Sequence, residues 1–260
     1  MTAPVSVVIL TLDERLNVPS AIESVRGWAA ETFVVDCFST DGTPEVAREA
    51  GATVVQHPFE GDGPQRNWAL DNLPLKTEWV LFLDADEMVS EALRREIDGL
   101  DLEATTADAF SMRFRFIFLG RWLRHGGYYG TRIVRLVRRG VRWNTRTVDA
   151  KAAVAGRVVR LEGDLIHRNR KDLAEWTAKH NVYSTVKAGE MVEAAAGAGG
   201  RLRLWGALPL VLRAFLYFGY RYFIRLGVLD GRPGLIFHTL HALWYRLLID
   251  AKYVERTLSR

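Results

Sequence analysis

The chain has 260 residues, 48% hydrophobic and 25% charged, which is ordinary for a globular protein and enough for one large domain or a domain with an appendage. A single cysteine, Cys37, excludes an intramolecular disulfide and suits a reducing compartment. The net charge of +4 is concentrated: from Arg201 onward ten Lys/Arg face three Asp/Glu, leaving residues 1–200 at −3. That tail also holds 11 of the 28 aromatic residues, a composition suited to a membrane surface or nucleic acid before an acidic small molecule. Its arginines alternate with long aliphatic side chains and no nucleic-acid motif occurs, which argues against nucleic acid.

The opening MTAPVSVVIL has no basic leader, so no signal segment is expected. Val5–Leu10 is a continuous β-branched run, the pattern of a strand buried on both faces. A helix follows with Pro19 in its first turn and Ile22 and Val25 on one side. Thr32–Val35 is the next strand, STDGT (Ser39–Thr43) a turn, and Pro44–Ala50 a helix stopped at Gly51. Thr53–Gln56 is a third strand, Gln65–Asn72 a helix, Trp79–Leu83 a fourth strand, and Ser90 caps a helix over Glu91–Leu100. From about Ala109 the pattern changes to short strands, Phe110–Phe116, Ile133–Val137 and Arg157–Leu161. The first two flank a glycine loop, RHGGYYGTR (Arg124–Arg132), which a plain hairpin connection would also explain. A helix is expected from Lys171 to about Ala196, and GAGG (Gly197–Gly200) reads as a linker.

The βαβαβαβ order predicts a parallel sheet with helices on both faces, and ligands of such sheets bind beyond the carboxyl ends of the strands. Acidic residues fall on that rim after three strands: Asp13-Glu14, Asp36 and Asp84-Ala85-Asp86. Alternation sends Asp84 and Asp86 to one side, where two carboxylates repel unless a cation lies between them. Mg²⁺ or Mn²⁺ with a substrate diphosphate suits that arrangement, although acidic residues also commonly follow strands and cap helices. No GxGxxG or GxxxxGK[ST] is present, so dinucleotide and P-loop readings lack their phosphate cradles.

In the tail, Arg213, Tyr217, Arg221 and Arg225 recur every four residues, as on one side of a helix. This predicts an interfacial amphipathic helix with arginines at anionic headgroups. Packing on the catalytic domain or into a homo-oligomer is the competing reading.

VVILTLDERLNV, VVDCFSTDGT, GPQRNWAL and FLDADE together resemble the family 2 glycosyltransferases, inverting enzymes of the GT-A fold. Within that family the chain is most similar to bacterial lipopolysaccharide-core and exopolysaccharide enzymes, on DLIHRN, WTAKHNVYST and RLGVLDGRPGLIFHTLHALWY. The resemblance implies a mostly parallel Rossmann-like α/β sheet. It implies a GT-A domain over 1–196, with a nucleotide-binding half (1–108) and an acceptor half (109–196), and an amphipathic helical membrane-associating segment over 201–260.

It also implies roles. Thr11, Asp13 and Glu14 line the nucleotide pocket, Asp36 meets base or ribose, Arg66 sits near the nucleotide and Asp84 faces ribose or diphosphate. Asp86 holds Mg²⁺ or Mn²⁺, with His167 as a second metal ligand unless that histidine is structural. Gly126, Gly127, Tyr128 and Tyr129 form a loop over donor and acceptor. Asp149 is the general base, although Ala150 stands where similar sequences often carry Glu. The implied activity is transfer from a nucleotide-diphosphate sugar, UDP-type first, to a lipid-linked or envelope glycan acceptor. The alternative is an impaired relative that binds nucleotide or acts as a scaffold. The implied location is cytoplasmic and peripheral on the inner face of the membrane. Ten arginines and no acidic residue lie between Ala109 and Val148, a stretch able to hold a diphosphate or to form a solvated basic surface.

Overall fold

A computed structural model describes residues 2–145, 150–197 and 209–258, and the chain divides into two compact units. The first comprises Met1–Ile117 and Gly130–Arg170, the second Phe118–Tyr129 and Lys171–Arg260. This differs from the expected division at residue 196, because the helix expected at Lys171–Ala196 belongs to the second unit.

The first unit is built on β1 (Ala3–Thr11), α1 (Val18–Glu23), β2 (Ala29–Asp36), α2 (Thr43–Glu49), β3 (Thr53–Gln56), α3 (Asp62–Asn72), β4 (Trp79–Asp84), β5 (Glu87–Val89), α4 (Glu91–Asp98) and β6 (Ala109–Phe118). After the short β7 (Arg121–Trp122) of the second unit, it continues with β8 (Arg132–Arg138), β9 (Arg142–Trp143), β10 (Ala152–Ala153) and β11 (Val158–Arg168). Sheet order is β3-β2-β1-β4-β8-β6-β11-β5. The first four strands are parallel, as are β6 and β11, while β8 runs antiparallel between β4 and β6 and β5 antiparallel to β11. The sheet is thus mixed α/β, and its parallel half carries the rim anticipated from the sequence.

The unbroken apolar run of β1 is explained by two cores. Val5, Val7 and Ile9 pack with Ala21 and Ile22 of α1 and Leu93 and Ile97 of α4. On the opposite face Val8, Phe33, Val35, Val80 and Phe82 pack with Ala69 and Leu70 of α3. A two-sided core leaves no polar alternation along β1, and the register is held by burial on both faces. Ser90 caps α4 as expected, its Oγ accepting the Leu93 N–H at 3.2 Å. Gly63, at the start of α3, lies against the Asn144 carbonyl, so close that an added Cβ would fall 1.7 Å from the oxygen.

The second unit is helical: α5 (Leu173–Gly197), α6 (Leu210–Gly219) running into a wider turn at Tyr220–Ile224, a tight turn at Gly227–Asp230, α7 (Gly231–His238), a second wide turn at Thr239–Trp244, and α8 (Tyr245–Leu258). No helix of the described residues is long and apolar enough to cross a membrane.

Within this unit two of the three arginines of the expected stripe, Arg213 and Arg221, turn inward, while Arg225 is exposed. Arg213 is buried in a two-pronged ion pair with Asp250, its Nε 2.6 Å from Oδ2. Arg221 lies over the ring of Tyr128 at 4.0 Å and that of Tyr217 at 5.6 Å. The aliphatic and aromatic side of the same helix is exposed instead, at Leu212, Phe215, Leu216, Phe223 and Ile224. A buried carboxylate for Arg213 and aromatic faces for Arg221 give these two guanidiniums partners away from water.

Candidate active site

Strand register brings the rim together. Thr11 stands opposite Asp36 across β1 and β2, and Leu10 opposite Asp84 across β1 and β4. Thr11 donates to Asp36 Oδ1 at 2.9 Å, Ser39 donates its hydroxyl to the same oxygen at 2.5 Å, and the Ser39 N–H reaches Oδ2 at 2.9 Å. Asp36 is wholly buried, so here it anchors the STDGT turn rather than lining an open pocket. That turn in turn fixes the loop after β1. The Asp13 N–H donates to Ser39 Oγ at 2.8 Å, the Thr40 N–H to Asp13 Oδ1 at 2.8 Å, and the Glu14 N–H to Thr43 Oγ1 at 2.8 Å. Asp13 holds a left-handed backbone, φ 52°, which a short polar side chain tolerates. Asp41 accepts the Arg15 and Thr43 N–H groups; although burial opposes it, these bonds and the Thr43 hydroxyl lower its pKa. Glu14 is buried and accepts from Asn17 Nδ2 at 2.7 Å, which also reaches Asn169 at 3.0 Å.

At the end of β4, Asp84 is clamped by two guanidiniums, Arg66 Nη2 at 2.7 Å and Arg135 Nη2 at 2.6 Å. Arg66 is fully buried on α3, also pairs with Asp62, and lies 6.0 Å from the rings of Phe82 and Trp143. Arg135 reaches Glu87 Oε1 at 2.7 Å, and Glu87 Oε2 accepts the Asp84 N–H at 3.0 Å. Glu87 is buried on β5. Desolvation pushes its carboxyl up to about 7, with the Asp84 charge adding and Arg135 opposing. Burial works against the charge on Arg135, but Asp84 and Glu87 raise its pKa and keep it a cation.

Asp86 turns to a different partner. β5 pairs antiparallel with β11 so that His167 stands opposite Glu87, and His167 Nε2 lies 3.0 Å from Asp86 Oδ2. The imidazole stacks on Phe116, centroids 4.8 Å apart, and its Nδ1 is buried without a hydrogen-bond partner. Desolvation opposes its protonation, but the Asp86 charge and hydrogen bond raise its pKa overall.

Among the described residues no three carboxylates, imidazoles or thiols gather into a metal cluster. The protein presents two donors, a carboxylate oxygen and an imidazole nitrogen 3.0 Å apart. Adjacent ligands of an octahedral ion at about 2.1 Å stand about 3 Å from one another, so once His167 Nε2 gives up the proton it shares with Asp86 the pair can accommodate Mg²⁺ or Mn²⁺.

The rim thus brings together Thr11, Asp13, Glu14, Asp36, Arg66, Asp84, Asp86 and His167. Asp149 lies outside the described residues. Its neighbour Ala150 donates its N–H to Asp62 Oδ2 at 3.0 Å. Gly126, Gly127, Tyr128 and Tyr129 fall in the second unit. Both glycines have positive φ, and Gly126 lies against the His238 ring. The Tyr128 hydroxyl pairs with His241 Nδ1 at 2.5 Å, and Tyr129 packs edge-on to Trp122 at 4.9 Å. Asp230 accepts the Arg124 and His125 N–H groups and so fixes the start of this loop.

Several residues were not singled out from the sequence. Arg135 was one of ten arginines in a basic stretch, yet an arginine flanked by the apolar residues of a strand is a signal in itself. Asp62 stands four residues before Arg66, the spacing of a helical ion pair. Leu12, Phe38 and Phe59, exposed within three residues of the ends of β1, β2 and β3, put apolar surface on the rim. Much of the basic stretch serves the fold. Arg113 and Arg115 pair with Asp164, Arg132 with Glu162 and Arg142 with Asp71.

The sequence matches the model of glycosyl transferase family 2 over residues 6–157, more than half of the chain, and the chain belongs to that family. It is 29% identical to the lipopolysaccharide core biosynthesis glycosyltransferase LpsC of Rhizobium meliloti, across 97% of this chain and 93% of that one. It is 39% identical to an uncharacterised glycosyltransferase of Rickettsia bellii over 38% of this chain, and the match spans only 33% of that relative's length. Glucosyl-3-phosphoglycerate synthase from Mycobacterium tuberculosis, solved with Mn²⁺, UDP and glucosyl-3-phosphoglycerate, is 19% identical with a TM-score of 0.44, covering 69% of this chain and 77% of that one.

Proposed function

We propose that the chain is an inverting glycosyltransferase that moves a sugar from a nucleoside-diphosphate donor to a lipid-linked or envelope glycan acceptor at an anionic membrane surface. The observation that carries this reading is the divided rim. Asp84 is held by Arg66 and Arg135 at the end of β4, while Asp86, in the turn that follows, faces His167, so the two carboxylates of the DxD have different partners. Asp86 and His167 would hold Mg²⁺ or Mn²⁺, which when bound neutralises charge developing on the departing diphosphate. Asp13 and Asp84 face the donor, and the exposed Leu12, Phe38 and Phe59 offer apolar surface to a base. Thr11, Glu14, Asp36 and Arg66 shape the pocket from behind. Asp149 takes the proton of the acceptor hydroxyl as it attacks the anomeric carbon from the face opposite the diphosphate. The similarity to the core biosynthesis enzyme LpsC supports an envelope glycan acceptor.

Thermal-shift titration with UDP, GDP and dTDP, each with and without Mn²⁺, tests the donor site. A metal-dependent rise in Tm with at least one of them is expected, since a ligand bound only to the folded state stabilises it by mass action. No metal-dependent shift with any of the three contradicts the proposal. Asp149→Asn separates the transferase from a non-catalytic relative: binding persists and transfer is lost in a transferase that uses Asp149.

A further inference from the structure

Eleven of the twenty large apolar side chains exposed among the described residues fall between Leu212 and Ile236. The most open are Phe215, Phe223, Ile224 and Leu229, at 52%, 60%, 72% and 55%. They lie on α6, its wide turn, the Gly227–Asp230 turn and α7, which pack against one another in sequence. Exposed apolar patches of this density are uncommon on ordinary soluble surfaces, and here the polar alternative was available: Arg213 and Arg221 lie on the same run of helix and turn inward. Inward arginine and outward phenylalanine is the reverse of what water selects.

The charge around the patch has one sign. From residue 210 to 249 the only acidic residue is Asp230, and it is buried and engaged by His125 at 2.8 Å. Arg225 and Arg232 are exposed between the apolar residues, and Arg121 is exposed beside them, donating to the Leu229 carbonyl at 3.2 Å. Two such faces brought together would repel, which argues against a second copy as the occupant, whereas anionic headgroups match the fringe and acyl chains the patch.

We infer that the shoulder formed by residues 212–236 inserts into the headgroup–acyl boundary of an anionic bilayer, with Phe223 and Ile224 at its tip and Arg121, Arg225 and Arg232 at the phosphates. This rests on the membrane-surface reading above and assigns the residues that make it; it does not require glycosyl transfer. The helix lies in the interface, its apolar side down, and does not span.

Flotation of the full chain with vesicles of phosphatidylcholine alone, or mixed with phosphatidylglycerol, tests the assignment with no nucleotide present. The wild type floats with the mixed vesicles. Phe223→Ser/Ile224→Ser lowers partitioning roughly tenfold or more, because two apolar side chains no longer leave water. Arg225→Glu/Arg232→Glu weakens binding to mixed vesicles and leaves the weak binding to phosphatidylcholine unchanged, while Leu258→Ser, also exposed, changes neither. The substituted side chains are exposed, so circular-dichroism melts stay at the wild-type Tm. Equal flotation of wild type and the Phe223/Ile224 variant overturns the inference. So does a wild type that ignores vesicles but sediments as a dimer, with the same variant monomeric. The metal-dependent nucleotide shift, measured on the same preparations, reports separately on the donor site.

Discussion

At the residue scale the site depends on a charge relay in which no member stands alone. Arg135 bridges Asp84 and Glu87, and Glu87 is 1% exposed. Removing one partner of a buried pair leaves the other charge in a poor solvent, at a cost of about 3–5 kcal/mol, whereas exposed pairs are worth about 1 or less. Arg135→Met therefore destabilises the fold by several kcal/mol in urea unfolding, and Arg135→Met/Glu87→Gln recovers part of the loss. A single-variant loss below about 1 kcal/mol would show that Glu87 is solvated or otherwise neutralised. Glu87 supports the site through the Asp84 N–H and Arg135, from a three-residue strand that no periodicity signals.

At the element scale, the strands and helices of residues 1–108 other than β5 were legible because each carries its own pattern. β1 is a two-sided apolar run, Ser90 a cap, and Gly51 a stop with φ +95°. The rim carboxylates followed from strand ends alone. What pattern could not supply was pairing between distant strands. His167 reaches Asp86 because β5 and β11 run antiparallel, a register set by long-range burial. The inward turn of Arg213 and Arg221 was hidden for the same reason. Spacing shows that arginines share a side but not what that side meets, and Asp250 and Tyr128 lie far along the chain.

The second unit also has a pH dependence. Burial first, then neighbouring cations, lower His238 to about 4 and His241 to about 3; His241 faces His180, Arg246 and Arg221, and His238 faces Arg221 and Asp230. Both sit below the ordinary value near 6.5, so the unfolded chain takes up protons first. The stability present above about pH 6.5 is lost as pH falls toward 4. Hydrogen exchange over residues 231–258, corrected for intrinsic rate, loses protection between pH 7 and pH 5. Equal protection at both would contradict neutral, buried imidazoles.

At the scale of the whole molecule, charge and apolar surface are divided as the composition foreshadowed. An acidic first unit carries the carboxylate rim, and a basic helical unit carries the exposed apolar shoulder. That division suits an enzyme whose donor is a soluble anion neutralised by a metal and whose acceptor is held at a lipid surface. The central claim is that Asp86 and His167 together hold the cation that binds the donor diphosphate. Titration of Mn²⁺ followed by electron paramagnetic resonance, with UDP present, tests it most directly, comparing wild type with Asp86→Ala and His167→Ala. Expected is saturable Mn²⁺ binding in the wild type, weakened roughly tenfold or more in either variant with folding intact. Mn²⁺ binding that is the same in all three proteins would contradict the account.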